Sequence, residues 1–172
     1  QAFPLSLQMA EQYTAERLVL IGDAAHAIVP FHGQGMNCGF EDCSAFADLL
    51  PNANSEIPTN WEALFIALTE QRKENADAIA DMALENYIEM RDSVRQHEFL
   101  LKKQFAFQIQ QWFPTRFTPR YAMVMFEHRP YAQAYELGKK HEKLLSELSD
   151  SYSCATQLTK DLVLALLNKY EL

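Results

Sequence analysis

Asp23 stands at the end of an apolar run, Arg17-Leu18-Val19-Leu20-Ile21, with Gly22 before it and Ala24 and Ala25 after it. A run of this length reads as a buried strand. An aspartate there has two readings. Alone, it is ordinarily a turn former or a helix cap. Between small residues, it is a carboxylate that a ligand can approach closely, at the carboxyl end of a strand where open α/β sheets bind their ligands. Such a carboxylate accepts hydrogen bonds from sugar hydroxyls. Gly33-Gln34-Gly35 follows ten residues on, ahead of a helical stretch. Backbone N–H groups at a helix start favour negative charge. A Gly-x-Gly pair is weak evidence alone, and gains force when joined to Gly22-Asp23 at this distance.

Other side chains are open to two readings. His32, beside Phe31 and Pro30, is ordinarily a partly solvated loop histidine. Phe31 is harder to dismiss, because loops seldom carry apolar bulk without a contact to make. Ile79, Ala83, Asn86, Met90 and Val94 step by 4, 3, 4 and 4, which makes one helical face. An Asn in an apolar stripe must find partners or cost about 1–3 kcal/mol. It is either a helix–helix hydrogen bond or, with Met90, the lining of a pocket. Tyr121 poses the same choice between capping an aromatic cluster and meeting a polar ligand group.

Two strands are expected to carry the loop, one over residues 3–13 and one over Arg17–Ile21, with Thr14-Ala15-Glu16 turning between them. A helix is expected over about Asn37–Leu50, with Asn37 as its N-cap, and then a loop over Pro51–Pro58. Helices are predicted from about Trp61 to residue 95, over Gln96–Trp112, over Tyr131–Leu148 and over Ala155–Tyr170. Pro114, Pro119 and Pro130 punctuate an aromatic segment between the second and third of these. A lone strand pair needs sheet neighbours. The chain therefore reads as the carboxyl-terminal part of a longer α/β protein, itself mainly α-helical. Residues 1–50 would be the end of a ligand-binding domain, and residues 51–172 a helical region.

Composition removes several classes. The 172 residues carry 15 Lys and Arg against 23 Asp and Glu, a net charge of -8. Nucleic acid as a partner is not expected, since phosphate binding needs a basic face. No apolar run approaches the ~18–20 residues of a membrane span. Cys38, Cys43 and Cys154 form no framework, which suggests a reducing compartment and free thiols. Cys38 and Cys43 fall on different faces of a helix, and no metal site is expected.

Gly22-Asp23-Ala24-Ala25-His26, followed by Pro30-Phe31-His32-Gly33-Gln34-Gly35-Met36-Asn37, resembles the second FAD-binding motif of the single-component FAD-dependent aromatic hydroxylases. Further matches are Gly39-Phe40-Glu41-Asp42-Cys43, the run from Glu85 to Asp92, Phe99 to Lys103, and Phe117 to Val124. These narrow the resemblance to the branch acting on L-kynurenine, over about residues 15–135. It implies a Rossmann-like parent fold and ring hydroxylation at position 3 with FAD, NADPH and dioxygen. It also implies a role for each motif residue. Asp23, in the turn Gly22-Asp23-Ala24, would bind the ribityl chain of FAD. Pro30, Gly33, Gln34, Gly35, Met36 and Asn37 would lie beside the flavin ring, with the helix dipole aimed at its N1/O2 edge. Phe31 and His32 would wall the substrate pocket, Asn86 and Tyr121 would hold the kynurenine carboxylate, and Met90 would pack on its ring. The family's amino-terminal Gly-x-Gly-x-x-Gly is absent from this chain, so the N-terminal half of the same enzyme is the expected partner. Two rival readings are a flavin hydroxylase for another aromatic and a helical interaction module without activity.

Overall fold

The computed structural model describes residues 14–15, 18–51, 60–93, 97–127 and 129–172. The chain divides into two compact units, Gln1–Tyr87 and Ile88–Leu172.

In the first unit, β1 (Thr14–Ala15) pairs antiparallel with β2 (Leu18–Val19), Thr14 opposite Val19 and Ala15 opposite Leu18. This corrects the turn expected over Thr14-Ala15-Glu16: the first two of those residues are already in the ladder, and Glu16 lies outside the described residues. Of the strand expected over Arg17–Ile21, Leu18–Val19 is paired. The strand expected over residues 3–13 lies outside the described residues, as does most of the Pro51–Pro58 loop.

A single 3-10 turn, Gly22–Ala24, follows β2. Helices α1 (Gly35–Leu49) and α2 (Trp61–Ile88) complete the unit. Helix α1 begins two residues before Asn37, and Gln34 takes the N-cap position. Gly33, at φ 71°, bends the chain into the helix. Asn37 therefore lies inside the first turn, not at its cap, and its amide donates to Gln34 Oε1 at 2.9 Å. Helix α1 stops where Leu50 turns extended, the conformation favoured before a proline, here Pro51. Asn60 starts α2 by accepting the Ala63 N–H on its side-chain oxygen at 3.2 Å. Phe46 on α1 stacks on Phe65 of α2, with ring centroids 6.4 Å apart. Leu68, Ala76, Ile79, Met82 and Ala83 of α2 are fully buried.

In the second unit the chain leaves α2 through a π-helical turn, Glu89–Ser93. This wider turn changes the phase of the helix, and the expected stripe ends there. Ile79 and Ala83 are buried, but Met90 is 58% exposed, and Val94 lies outside the described residues. Helices α3 (His97–Trp112), α4 (Arg120–Met125), α5 (Tyr131–Ser151) and α6 (Lys160–Lys169) follow. Helix α4 was not expected. Pro119 and Pro130 each precede a helix start, where a fixed φ and a missing N–H cost nothing. Gly138 lets α4 sit close to α5, since a Cβ there would stand 2.6 Å from Arg120 Cδ. The helix expected over Ala155–Tyr170 is split into a 3-10 turn, Ala155–Gln157, and α6. The break comes because Thr159 caps α6, its hydroxyl accepting the Leu162 N–H at 3.3 Å.

The core of this unit is Leu101, Phe105 and Ile109 of α3, Leu144, Leu145 and Leu148 of α5, and Val163, Leu166 and Leu167 of α6, joined by Phe117 between α3 and α4 and by Leu158 before α6. Arg116 donates through Nε to the Leu172 carbonyl at 2.7 Å, holding the last residue against the end of α3. Among the described residues no helix is long and apolar enough to cross a membrane.

Candidate functional site

The first unit builds the Gly22–Ala24 turn and the loop from Pro30 to Gln34 around the start of α1. Gly22 has φ 58°, a conformation that only glycine adopts without strain. Its carbonyl accepts both the Ala25 N–H at 2.8 Å and the His26 N–H at 2.9 Å. The turn lies against α1 at Gly39, where a Cβ would stand 3.4 Å from Gly22 Cα. Two glycines facing each other let backbone meet backbone. Asp23 and Ala24 are exposed at the tip of the turn.

The α1 N-terminus offers donors. The first intrahelical bond runs from the Cys38 N–H to the Gln34 carbonyl at 2.9 Å. The N–H groups of Gly35, Met36 and Asn37 precede it and have no carbonyl one turn back, and no side chain caps the helix. Beside Gly33 and Gly35 there is open space, with no heavy atom within 4 Å of an added Cβ. Gln34 is buried, whereas Pro30, Met36 and Asn37 are exposed. Exposed donors, open space and a nearby carboxylate suit a ligand with polar edges and hydroxyl groups.

The end of α2 grips the loop. Asn86 donates its side-chain amide to the Phe31 carbonyl. The Phe31 ring lies on Tyr87, centroids 4.6 Å apart. His32 is buried. Gly22, Asp23 and Ala24, the Pro30–Asn37 loop and Asn86 thus all belong to this unit. Met90 and Tyr121 belong to the second, where Tyr121 is 55% exposed on α4, between buried Met123 and Val124 on one side and Arg120 on the other.

Beneath the turn lies a buried polar network that the sequence did not reveal. Asp42 on α1 accepts the Gly22 N–H at 2.8 Å and meets His26 Nε2 at 2.5 Å through the same oxygen. Its other oxygen accepts from Arg72 Nε of α2 at 2.8 Å. Arg72 also reaches the Cys38 carbonyl at 3.3 Å and Sγ at 3.5 Å, and pairs with half-exposed Glu41 at 3.0 Å. Burial works against charge on the His26 ring, but its bonds to Asp42 and Cys38 outweigh that and raise its pKa to about 10. Burial likewise opposes ionisation of Asp42, and the donors His26, Arg72 and Gly22 overcome it and hold its carboxyl below the usual range. At neutral pH the network is therefore an aspartate between two cations.

His26, Cys38 and Asp42 place one ligand atom each within 4.8 Å of one another. Arg72 occupies that ground: a guanidinium bonded to both Asp42 and Cys38 opposes a metal cation by charge and takes the lone pairs it would use. The signal that could have exposed the network is Arg72 itself, a cation four residues from both Leu68 and Ala76 on a buried stripe.

Residues 1–83 match the family model described as "FAD binding domain". Over 130 residues the chain is 49% identical to a kynurenine 3-monooxygenase of Cytophaga hutchinsonii, covering 76% of this chain and 28% of the relative. A kynurenine 3-monooxygenase of Myxococcus xanthus is 45% identical over 146 residues, 85% of this chain and 30% of the relative. One of Stenotrophomonas maltophilia is 56% identical over 118 residues, 69% of this chain and 25% of the relative. The chain spans less than a third of the length of these curated relatives. The resemblance read from the motifs thus holds across most of the chain: it is a mainly helical segment similar to the kynurenine 3-monooxygenases, and its first 83 residues match the FAD-binding family.

Proposed function

We propose that this chain forms the flavin- and substrate-facing part of an FAD-dependent monooxygenase that hydroxylates L-kynurenine with NADPH and dioxygen. On this reading it works together with the N-terminal half of the same enzyme, within a Rossmann-like parent fold. Residues 1–50 complete the FAD domain, and residues 51–172 are the helical region over the substrate. The observation that carries the reading is that the turn bearing exposed Asp23 packs against α1, whose start has no side-chain cap, with open space beside Gly33.

FAD, when bound, supplies the oxidising chemistry, with electrons from NADPH. The protein's residues orient, hold charge and exclude water. Asp23 accepts hydrogen bonds from the hydroxyls of the ribityl chain, at the turn of Gly22 and Ala24. The N–H groups of Gly35, Met36 and Asn37, with the α1 dipole behind them, stabilise negative charge at the flavin's N1/O2 edge. Pro30, Gly33 and Gln34 shape the loop against the ring. Phe31 and His32 wall the substrate, and the hold that Asn86 and Tyr87 keep on Phe31 fixes that wall. The resemblance assigns Asn86 and Tyr121 to the substrate carboxylate and Met90 to its aromatic part. None of these residues is assigned as a general base.

The test is the protein expressed from its complete reading frame. It should be yellow, and L-kynurenine should accelerate NADPH oxidation with 3-hydroxykynurenine as product. A flavin spectrum with acceleration by a different aromatic acid would move the assignment to another hydroxylase. A colourless protein would leave only a helical interaction module.

A further inference from the structure

We infer that Asp42 is a positioning residue for the cofactor site, its carboxylate setting the turn that presents Asp23. The inference rests on the FAD reading proposed above. One carboxylate ties three places together: the Gly22 N–H on the turn at 2.8 Å, His26 just after it at 2.5 Å, and Arg72 on α2 at 2.8 Å. Asp42 and His26 are essentially inaccessible, and the Arg72 side chain is 8% exposed. A buried charge is tolerated only when paired and hydrogen-bonded, so the three donors act as one unit.

The geometry gives Asp42 control over Asp23. Gly22 sits at φ 58° and directly precedes Asp23. Its N–H points to Asp42 while its carbonyl takes two N–H groups of the same turn. Both peptide groups that flank Gly22 are therefore fixed, the following one locally and the preceding one by Asp42. Because Asp42 lies on the helix whose N-terminus forms the rest of the site, turn and helix start are held in one register. Arg72 extends the hold to α2. Asp42 itself touches no ligand in this account; it acts through the turn.

The experiment is a double-mutant cycle in the protein from the complete reading frame, with Asp42→Asn, Asp23→Asn and both together. Asn keeps the shape of Asp42 but loses its charge and one acceptor. FAD affinity is read by flavin fluorescence, and the flavin's visible circular dichroism reports its seating. Each single variant should weaken FAD about tenfold or more. The double variant should lose much less than the product, because Asp42 acts through Asp23. The dichroism band should change in Asp42→Asn at full FAD occupancy. If Asp42→Asn does not fold, Arg72→Lys takes its place, keeping the charge but removing the Nε–H donor. Multiplicative losses, or an Asp42→Asn protein that binds FAD like wild type, overturn the role of Asp42 while leaving the FAD reading intact. A wild type without FAD overturns both.

Discussion

Asn86, near the end of α2, donates its side-chain amide to the backbone carbonyl of Phe31, 55 residues earlier in the chain. The bond couples a helix to the loop that shapes the site, and Tyr87 adds a ring contact to the same residue. The amide retains a second N–H and its oxygen for other partners. In the complete protein, Asn86→Ala should raise the KM for L-kynurenine about tenfold, from the ~1–3 kcal/mol of an unmet polar group. FAD content should change little. Steady-state kinetics with flavin quantitation checks this, and an equal loss of both contradicts the role.

Gly33→Ala isolates backbone strain from crowding. The residue has φ 71° and nothing within 4 Å of an added Cβ, so the methyl meets no neighbour. The cost is that of an L residue in the left-handed region, about 1–2 kcal/mol. Thermal unfolding should show a melting temperature lower by a few degrees. An unchanged melting temperature would mean that the loop relaxes out of this conformation.

Arg72→Met should destabilise the first unit by about 3–5 kcal/mol, because it leaves Asp42 buried without one of its two cationic partners. Adding Asp42→Asn should recover part of the loss. Denaturant titrations of both variants measure it, and losses that simply add would break the claim that the two act as a pair.

Two buried histidines give the units opposite responses to pH. His26 has a folded pKa of about 10 against an ordinary 6.5. Its contribution is complete below pH 6.5 and is lost as pH rises toward 10. His141, whose ring is tilted against that of Phe117 with centroids 4.1 Å apart, is the reverse. Burial, aided by the charge of Arg129, lowers its pKa to about 4. His141's effect on the second unit is absent above pH 6.5, and the unit loses stability as pH falls toward 4. Asp42 does not disturb the comparison, since its lowered carboxyl acts below 3.8. Trp61 lies in the first unit and Trp112 in the second. In single-tryptophan variants, alkali should lower the denaturant midpoint seen by Trp61, and acid the one seen by Trp112. Midpoints that move together in both directions would contradict this.

The sequence showed what repeats and what is short-range. The long helix from Trp61, the helix ending at Trp112 and the one starting at Tyr131 all follow from propensity and proline placement. The Gly22-Asp23 turn and the Gly33 bend were legible because glycine marks backbone that others avoid. Helix α4 was not, since six residues between prolines carry too little periodicity. The π-helical turn at Glu89–Ser93 leaves no compositional mark, so the stripe through Met90 ran past its true end. The Asp42 network was hidden because its members come from separate stretches of the chain. Only folding shows that Gly22, His26, Asp42 and Arg72 meet.

Equilibrium FAD binding by the complete protein, as wild type and as Asp23→Ala, tests the account most directly. The expected result is a yellow wild type that retains FAD and an Asp23→Ala protein that folds but binds it at least tenfold more weakly. A wild type that binds no flavin, or an Asp23→Ala protein that binds it equally well, would contradict the account at its base.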